Sequence, residues 1–168
     1  MVCCWSSSNR TKGVDESLDQ ASATGLAVAL LLIGLLFLLA VVANARGVRS
    51  VVAPAPSLIA IRAVGADYLD AYRVAASPER LRNLDDVVAV AFQKGDEVGR
   101  SATEVVYQGC APGLVFDVAY QLTLESEKSV LTMTTAVRYT SGTGRIYFAL
   151  VRPIHRRLVP FMVSRMAR

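Results

Sequence analysis

The sequence predicts an α+β domain, an antiparallel sheet packed by helices on one face, preceded by a single transmembrane helix. Three patterns predict it. A charge-free apolar run covers Thr24 to Ala43. Two alternating runs, Val115 to Leu124 and Val130 to Tyr139, are joined by a short polar connection. An apolar stripe at three-to-four spacing then runs from Tyr147 to Met162.

The apolar run comes first. No charged residue lies between Asp19 and Arg46. A spanning helix needs about 20 apolar residues, because the hydrocarbon core is about 30 Å thick and each residue rises about 1.5 Å. The run meets that length, which sets a transmembrane helix over residues 22–45. A cleavable signal peptide is the rival, since Ala43-Asn44-Ala45 has the small-x-small form. The run exceeds the usual apolar core of about 7–15 residues, however, and Asp15, Glu16 and Asp19 stand where a signal peptide carries positive charge. Arg46 and Arg49 follow the helix closely, while Arg10 and Lys12 lie farther before it. That bias places the C-terminal domain on the cytoplasmic side of a single-pass membrane protein. Residues 1–20 read as a disordered tail, and residues 46–57, with Pro54 and Pro56, as a linker. The folded domain is set at residues 58–168.

Within it, Asp67–Val74 alternates as a strand. Ser77 then Pro78 read as an N-cap and first helical position, and Leu81, Leu84, Val87, Val88 and Ala91 follow at helical spacing, so residues 78–93 are expected to be a helix. Ala102–Gln108 is β-branched and aromatic, a third-element strand, and Cys110-Ala-Pro-Gly113 is a turn. In the hairpin, Phe116, Val118, Tyr120, Leu122 and Leu124 form one row, and Leu131, Met133, Thr135, Val137 and Tyr139 the other. Both rows must face one core, so opposed residues have numbers summing to an odd value. A turn centred at Glu127-Lys128 sets Phe116 opposite Tyr139 and Asp117 opposite Arg138. Pro153 and Pro160 are expected to divide the last helix into two or three pieces.

Charge is uneven. From Lys128 to Arg168 there are eight Lys/Arg and no acid, whereas residues 1–127 hold ten Lys/Arg and fourteen Asp/Glu. A basic last quarter calls for an acidic partner, either anionic lipid or an acidic protein surface. No nucleic-acid motif accompanies it. Cys3, Cys4 and Cys110 have no zinc or redox spacing, and no metal or cofactor site is read.

The stretch TMTTAVRYTSGTGRIYFALVRPIHRRLVPFMVSRM, Thr132 to Met166, resembles the bacterial domain-of-unknown-function 2867 family. The matching residues are Thr134, Thr135, Val137, Arg138, Gly144, Arg145, Tyr147, Phe148, Val151, Pro153, His155 and Arg156. Ala66–Val74 and, more loosely, Gly113–Leu122 resemble its earlier strands. Ile154 stands where the family usually has Phe. The resemblance implies a reduced helix-grip-like fold, similar to lipid- and polyketide-binding proteins, with no assigned activity. No glycine-rich dinucleotide fingerprint is present, so no oxidoreductase function carries over.

Asp117 and Arg138 are read as a cross-strand pair, either on a cavity wall or, more in keeping with sheet pairs, a solvated ion pair. Arg145 after Gly144 is an anion-binding candidate or a donor to turn carbonyls. His155 lacks a nucleophile or orienting group at any fixed spacing and is read as bonded to backbone near the proline. Asp67 and Asp70 are isolated. Arg152, Arg156, Arg157 and Arg165 are the candidates for contact with a membrane or partner. The resulting reading is a membrane-tethered, non-catalytic domain binding a small apolar ligand or lipid. The alternative is an assembly partner that lays its basic helix on an anionic membrane or acidic subunit.

Overall fold

The computed structural model describes residues 25, 28, 31–36, 47–92, 95–125 and 127–168. The chain divides into two compact units, Met1–Ala40 and Val41–Arg168. In the first, Gly25, Val28 and residues 31–36 are helical. The tail expected over residues 1–20 and most of the expected transmembrane helix lie outside the described residues. Among the described residues, no helix is long and apolar enough to cross a membrane.

In the second unit six strands form one antiparallel sheet. They are β1 (Arg49–Val51), β2 (Tyr68–Ala76), β3 (Asp96–Arg100), β4 (Glu104–Ala111), β5 (Leu114–Glu125) and β6 (Lys128–Tyr139). Their spatial order is β1-β2-β6-β5-β4-β3. Three helices accompany them: α1 (Leu58–Arg62), α2 (Leu84–Val90) and α3 (Gly142–Met166). Strand β1 lies inside the stretch read as a linker, and it pairs with β2.

The β5–β6 hairpin keeps the expected parity but sits two residues away in register. Phe116 opposes Val137, Asp117 opposes Ala136 and Glu125 opposes Lys128. Glu127 takes a left-handed backbone, φ 68°, at the turn. Centring the turn one residue earlier lets the chain reverse in two residues. Because the shift is even, every side chain keeps its face.

That parity builds the main core. Tyr72, Val74, Tyr120, Leu122, Leu131 and Met133 meet Leu84 and Val87 of α2 and Val159, Val163 and Met166 of α3. Beside it, Tyr68, Leu114 and Val137 pack around Phe148 of α3. Helices cover both faces rather than one: on the opposite face Ile59 of α1 packs on Val106, Ala119 and Ala136.

Two helices depart from expectation. The helix expected over 78–93 is a single turn followed by α2. Arg80 and Leu81 donate to the Ser77 carbonyl, but the Leu81 carbonyl then accepts the buried Ser129 hydroxyl at 2.6 Å. That acceptor is spent on the sheet, and Asn83 restarts the helix in a reciprocal capping box with Asp86. Conversely α3 is continuous through Pro153 and Pro160. Each proline removes one helical hydrogen bond, from the carbonyls of Ala149 and Arg156. Both of those residues are exposed, on the side of the helix away from the core.

The face of α3 also differs. Phe148, Val159, Val163 and Met166 are buried, while Tyr147, Leu150 and Ile154 of the expected stripe are exposed. The helix is apolar around much of its circumference, and the sheet takes only one side.

Candidate functional site

The start of α3 is fixed by backbone contact. Ser141 caps the helix, its hydroxyl accepting from the Gly144 amide. The Gly113 carbonyl accepts from the amides of Thr140 and Ser141 at 2.9 and 3.2 Å. A Cβ on Gly144 would stand 1.8 Å from that same carbonyl oxygen. Only glycine lets the β4–β5 turn and the first turn of α3 touch. That contact gives a physical reason for the glycine in the motif around Gly144-Arg145.

From there α3 crosses the sheet and roofs a partly open cavity of about 350 Å³. Leu114, Phe116, Val118, Met133 and Val137 form its floor, Tyr147, Phe148, Val151, Leu158, Val159 and Met162 its roof, and Phe92 and Cys110 contribute at the margin. The wall is mainly apolar. Besides Tyr147 and Cys110, Thr135 and His155 place polar groups on it. Thr135 is 3% exposed, lines the cavity, and its Oγ1 is buried with no hydrogen-bond partner. His155 lines the same space.

His155 does not bond to backbone as expected. Its Nε2 lies 3.2 Å from Asp70 Oδ2. Asp70 opposes Thr135 in the β2–β6 ladder, so the two project from the same face. Tyr68 donates its hydroxyl to Asp70 Oδ2 at 2.6 Å, and its ring meets His155 edge-on. Asp70, isolated in sequence, thus orients both an imidazole and a phenol. Burial first, then the Asp70 carboxylate, pushes the Tyr68 hydroxyl above its usual range. Tyr72 is pushed up to about 12 for the same two reasons. Both phenols stay protonated at neutral pH and act as donors. Only the local signal of Tyr68 and Asp70 alternating on one strand was available in the sequence, and their partner lies 85 positions away.

Asp117 and Arg138 are brought together, though diagonally and not directly opposed. Arg138 Nη2 donates to Asp117 Oδ2 at 2.6 Å. The pair is not solvated: Asp117 is fully buried. It also accepts from Arg62 Nη2 at 3.1 Å and Gln108 Nε2 at 2.9 Å, and Arg138 donates to the Arg62 carbonyl. Burial raises the carboxyl pKa most strongly, but the bonds from Gln108, Arg62 and Arg138 together outweigh it and hold Asp117 below its usual value. At the other end of α1, the buried Glu104 carboxylate accepts from the amides of Leu58 and Ile59 at 2.7 and 3.0 Å. The cluster clamps α1 to the sheet, on the face opposite the cavity. Asp67 also has a structural role: its carboxylate accepts from the Tyr139 amide at 2.7 Å.

The remaining arginines separate. Arg145 stacks 5.9 Å over the Tyr139 ring and Arg152 5.3 Å over Tyr68. Arg156 interacts with the Tyr68 hydroxyl, which raises the arginine's pKa. Arg157 is exposed. Arg165 borders an open apolar groove with Val90, Phe92, Leu158, Phe161, Met162 and Met166. Phe92, Leu158 and Met162 line groove and cavity alike. No group of three or more metal-binding side chains occurs among the described residues.

Residues 98–162 match the model of the family described as "Protein of unknown function (DUF2867)". The resemblance seen over Thr132–Met166 thus extends back to the end of β3 and takes in the hairpin, the cavity floor and most of α3. No curated protein matches the chain. Among solved structures, the crystal structure of TTHA0849 from Thermus thermophilus matches with 14% identity and a TM-score of 0.28, over 57% of this chain and 88% of that one.

Proposed function

We propose that this protein is a membrane-tethered, non-catalytic binding domain of reduced helix-grip-like shape, holding a small apolar ligand or lipid between sheet and α3. The observation that carries the reading is the cavity of about 350 Å³ with an unpaired Thr135 hydroxyl on its wall. Ligand pockets are apolar clefts from about 300 Å³ upward with a few placed polar groups. A buried hydroxyl without a partner costs free energy until something bonds to it. A ligand with one polar atom on an apolar body meets both conditions, and His155, held by Asp70, offers a second fixed contact. Binding alone needs nothing further, whereas a reaction needs a nucleophile or activated water aligned with a base.

The tether rests on the apolar run over 24–43. Leu31, Ile33 and Leu36 in the helical stretch 31–36 are exposed, a surface suited to lipid and costly in water. The Arg46/Arg49 flank favours the domain on the cytoplasmic side. The test is mass spectrometry of full-length protein purified gently from its native membrane. The expected result is a stoichiometric apolar ligand that is lost from Thr135→Val or Val118→Trp protein. Equal recovery from both variants would place the ligand elsewhere.

A further inference from the structure

We propose that the outer face of α3 lies in the headgroup layer of an anionic bilayer. Ile146, Leu150 and Ile154 are 67%, 73% and 64% exposed. Their i, i+4, i+8 spacing sets them in one row on the helix surface, turned away from the buried row of Phe148, Val159 and Val163. The same face continues at helical spacing to Arg157 and Arg165, both exposed. From Lys128 to the last residue there is no acid, and Arg157 has no ion pair among the described residues. Large aliphatic side chains flanked by arginines and free of acids are what an in-plane interfacial helix presents to anionic lipid.

Charge decides the occupant. A second copy would bring an identical basic, acid-free face against this one, and like charges would oppose the contact. A neutral apolar partner would leave the arginines uncompensated. Anionic headgroups satisfy both parts at once: acyl chains take the aliphatic row, and phosphates take the guanidiniums. The inference is independent of the cavity, because the exposed row of Ile146, Leu150 and Ile154 does not line it.

The test uses the full chain with its single tryptophan removed by Trp5→Phe and a probe introduced by Leu150→Trp. The protein is reconstituted in phosphatidylcholine vesicles with or without phosphatidylglycerol, both carrying brominated acyl chains. Leu150 is exposed, so the core is untouched, and Ile146→Trp serves as a second probe should the first fold poorly. The expected result is blue-shifted emission with bromine quenching about twofold or more stronger in the anionic vesicles. The difference should shrink at 1 M salt, where the Debye length is about 3 Å, and on Arg157→Gln. Water-like emission in both vesicles overturns the proposal. So does shielded emission without quenching, which means a protein covers the face. Equal quenching in both vesicles at all salt concentrations overturns the anionic selectivity and with it the proposal.

Discussion

Asp117 accepts three side-chain hydrogen bonds at a fully buried position. The face shared by Asp117 and Arg138 was legible in the sequence, because strand parity alone sets it, but their expected direct opposition is not met, since Asp117 opposes Ala136. The burial of Asp117 was not legible. That depends on α1, a five-residue helix too short to show a periodicity, which lays Arg62 across the pair. The energetics change accordingly. A solvated pair is worth under about 1 kcal/mol, whereas removing one member of a buried cluster strands the others. Arg62 and Arg138 remain about 30% exposed at the side chain, so water softens the loss. Asp117→Asn is expected to cost about 2–3 kcal/mol in urea unfolding. The sign with pH follows from the depressed carboxyl pKa. The contribution is complete above the ordinary carboxyl value of about 4 and is lost as pH falls below it through the folded value. The parent should therefore lose stability in acid more steeply than Asp117→Asn does. Thr135 has the opposite signature. Thr135→Val removes an unpaired buried hydroxyl and is expected to stabilise the ligand-free domain by about 1 kcal/mol. The same change should abolish the rise in Tm produced by ligand. A loss of stability instead would mean the hydroxyl is already satisfied.

Among the elements, α3 separates what a sequence encodes locally from what it does not. Its existence follows from pattern, but its start does not: Thr140 to Gly144 reads as a turn in the sequence, whereas the helix already begins at Gly142. Nor does the face it buries, because apolar residues occupy both the Phe148–Val159–Val163 row and the Ile146–Leu150–Ile154 row. A stripe drawn from hydropathy alone mixes the two sides: its Val151, Leu158 and Met162 roof the cavity, while its Leu150 and Ile154 are exposed. The prolines mislead for a related reason: the bonds they remove are at residues on the exposed side of the helix. Strands β1 and β3 are short edge strands of three and five residues, and neither has the alternation that exposed the hairpin. The glycines at the head of α3 give a sharp test of the docking between the β4–β5 turn and the helix. Nothing lies within 4 Å of a Cβ on Gly142, so Gly142→Ala should be neutral or stabilise by up to about 0.5 kcal/mol through helix propensity. Gly144→Ala must push apart two backbones and is expected to cost about 2–3 kcal/mol. Thermal unfolding of the two single variants checks this. Equal melting temperatures would mean that the turn moves freely from the helix.

At the scale of the whole molecule, the apolar run is the feature the sequence states most directly, since its signal is length and needs no tertiary partner. Thirteen of the residues from Thr24 to Ala43 are Leu, Ile, Val or Phe. Each contributes roughly −0.3 to −0.6 kcal/mol to insertion near the bilayer centre. No charge opposes them, so insertion is favoured by several kcal/mol. On the proposed placement of α3, its arginines would add an attraction of about 1 kcal/mol per residue held near an anionic surface. Salt and alkaline wash remove that contribution but not the apolar one. The two proposed modes of attachment are therefore separable in one experiment. Full-length protein is expected to stay in the membrane pellet after alkaline carbonate extraction, with its N-terminus intact. A variant with Leu31→Lys and Leu36→Lys together should move to the supernatant under carbonate. In low-salt buffer it should still sediment in part with anionic membranes, through α3. Release of the parent by carbonate, or a mature N-terminus at Arg46, would show that the run is a removed leader and that the domain reaches the membrane, if at all, by α3 alone.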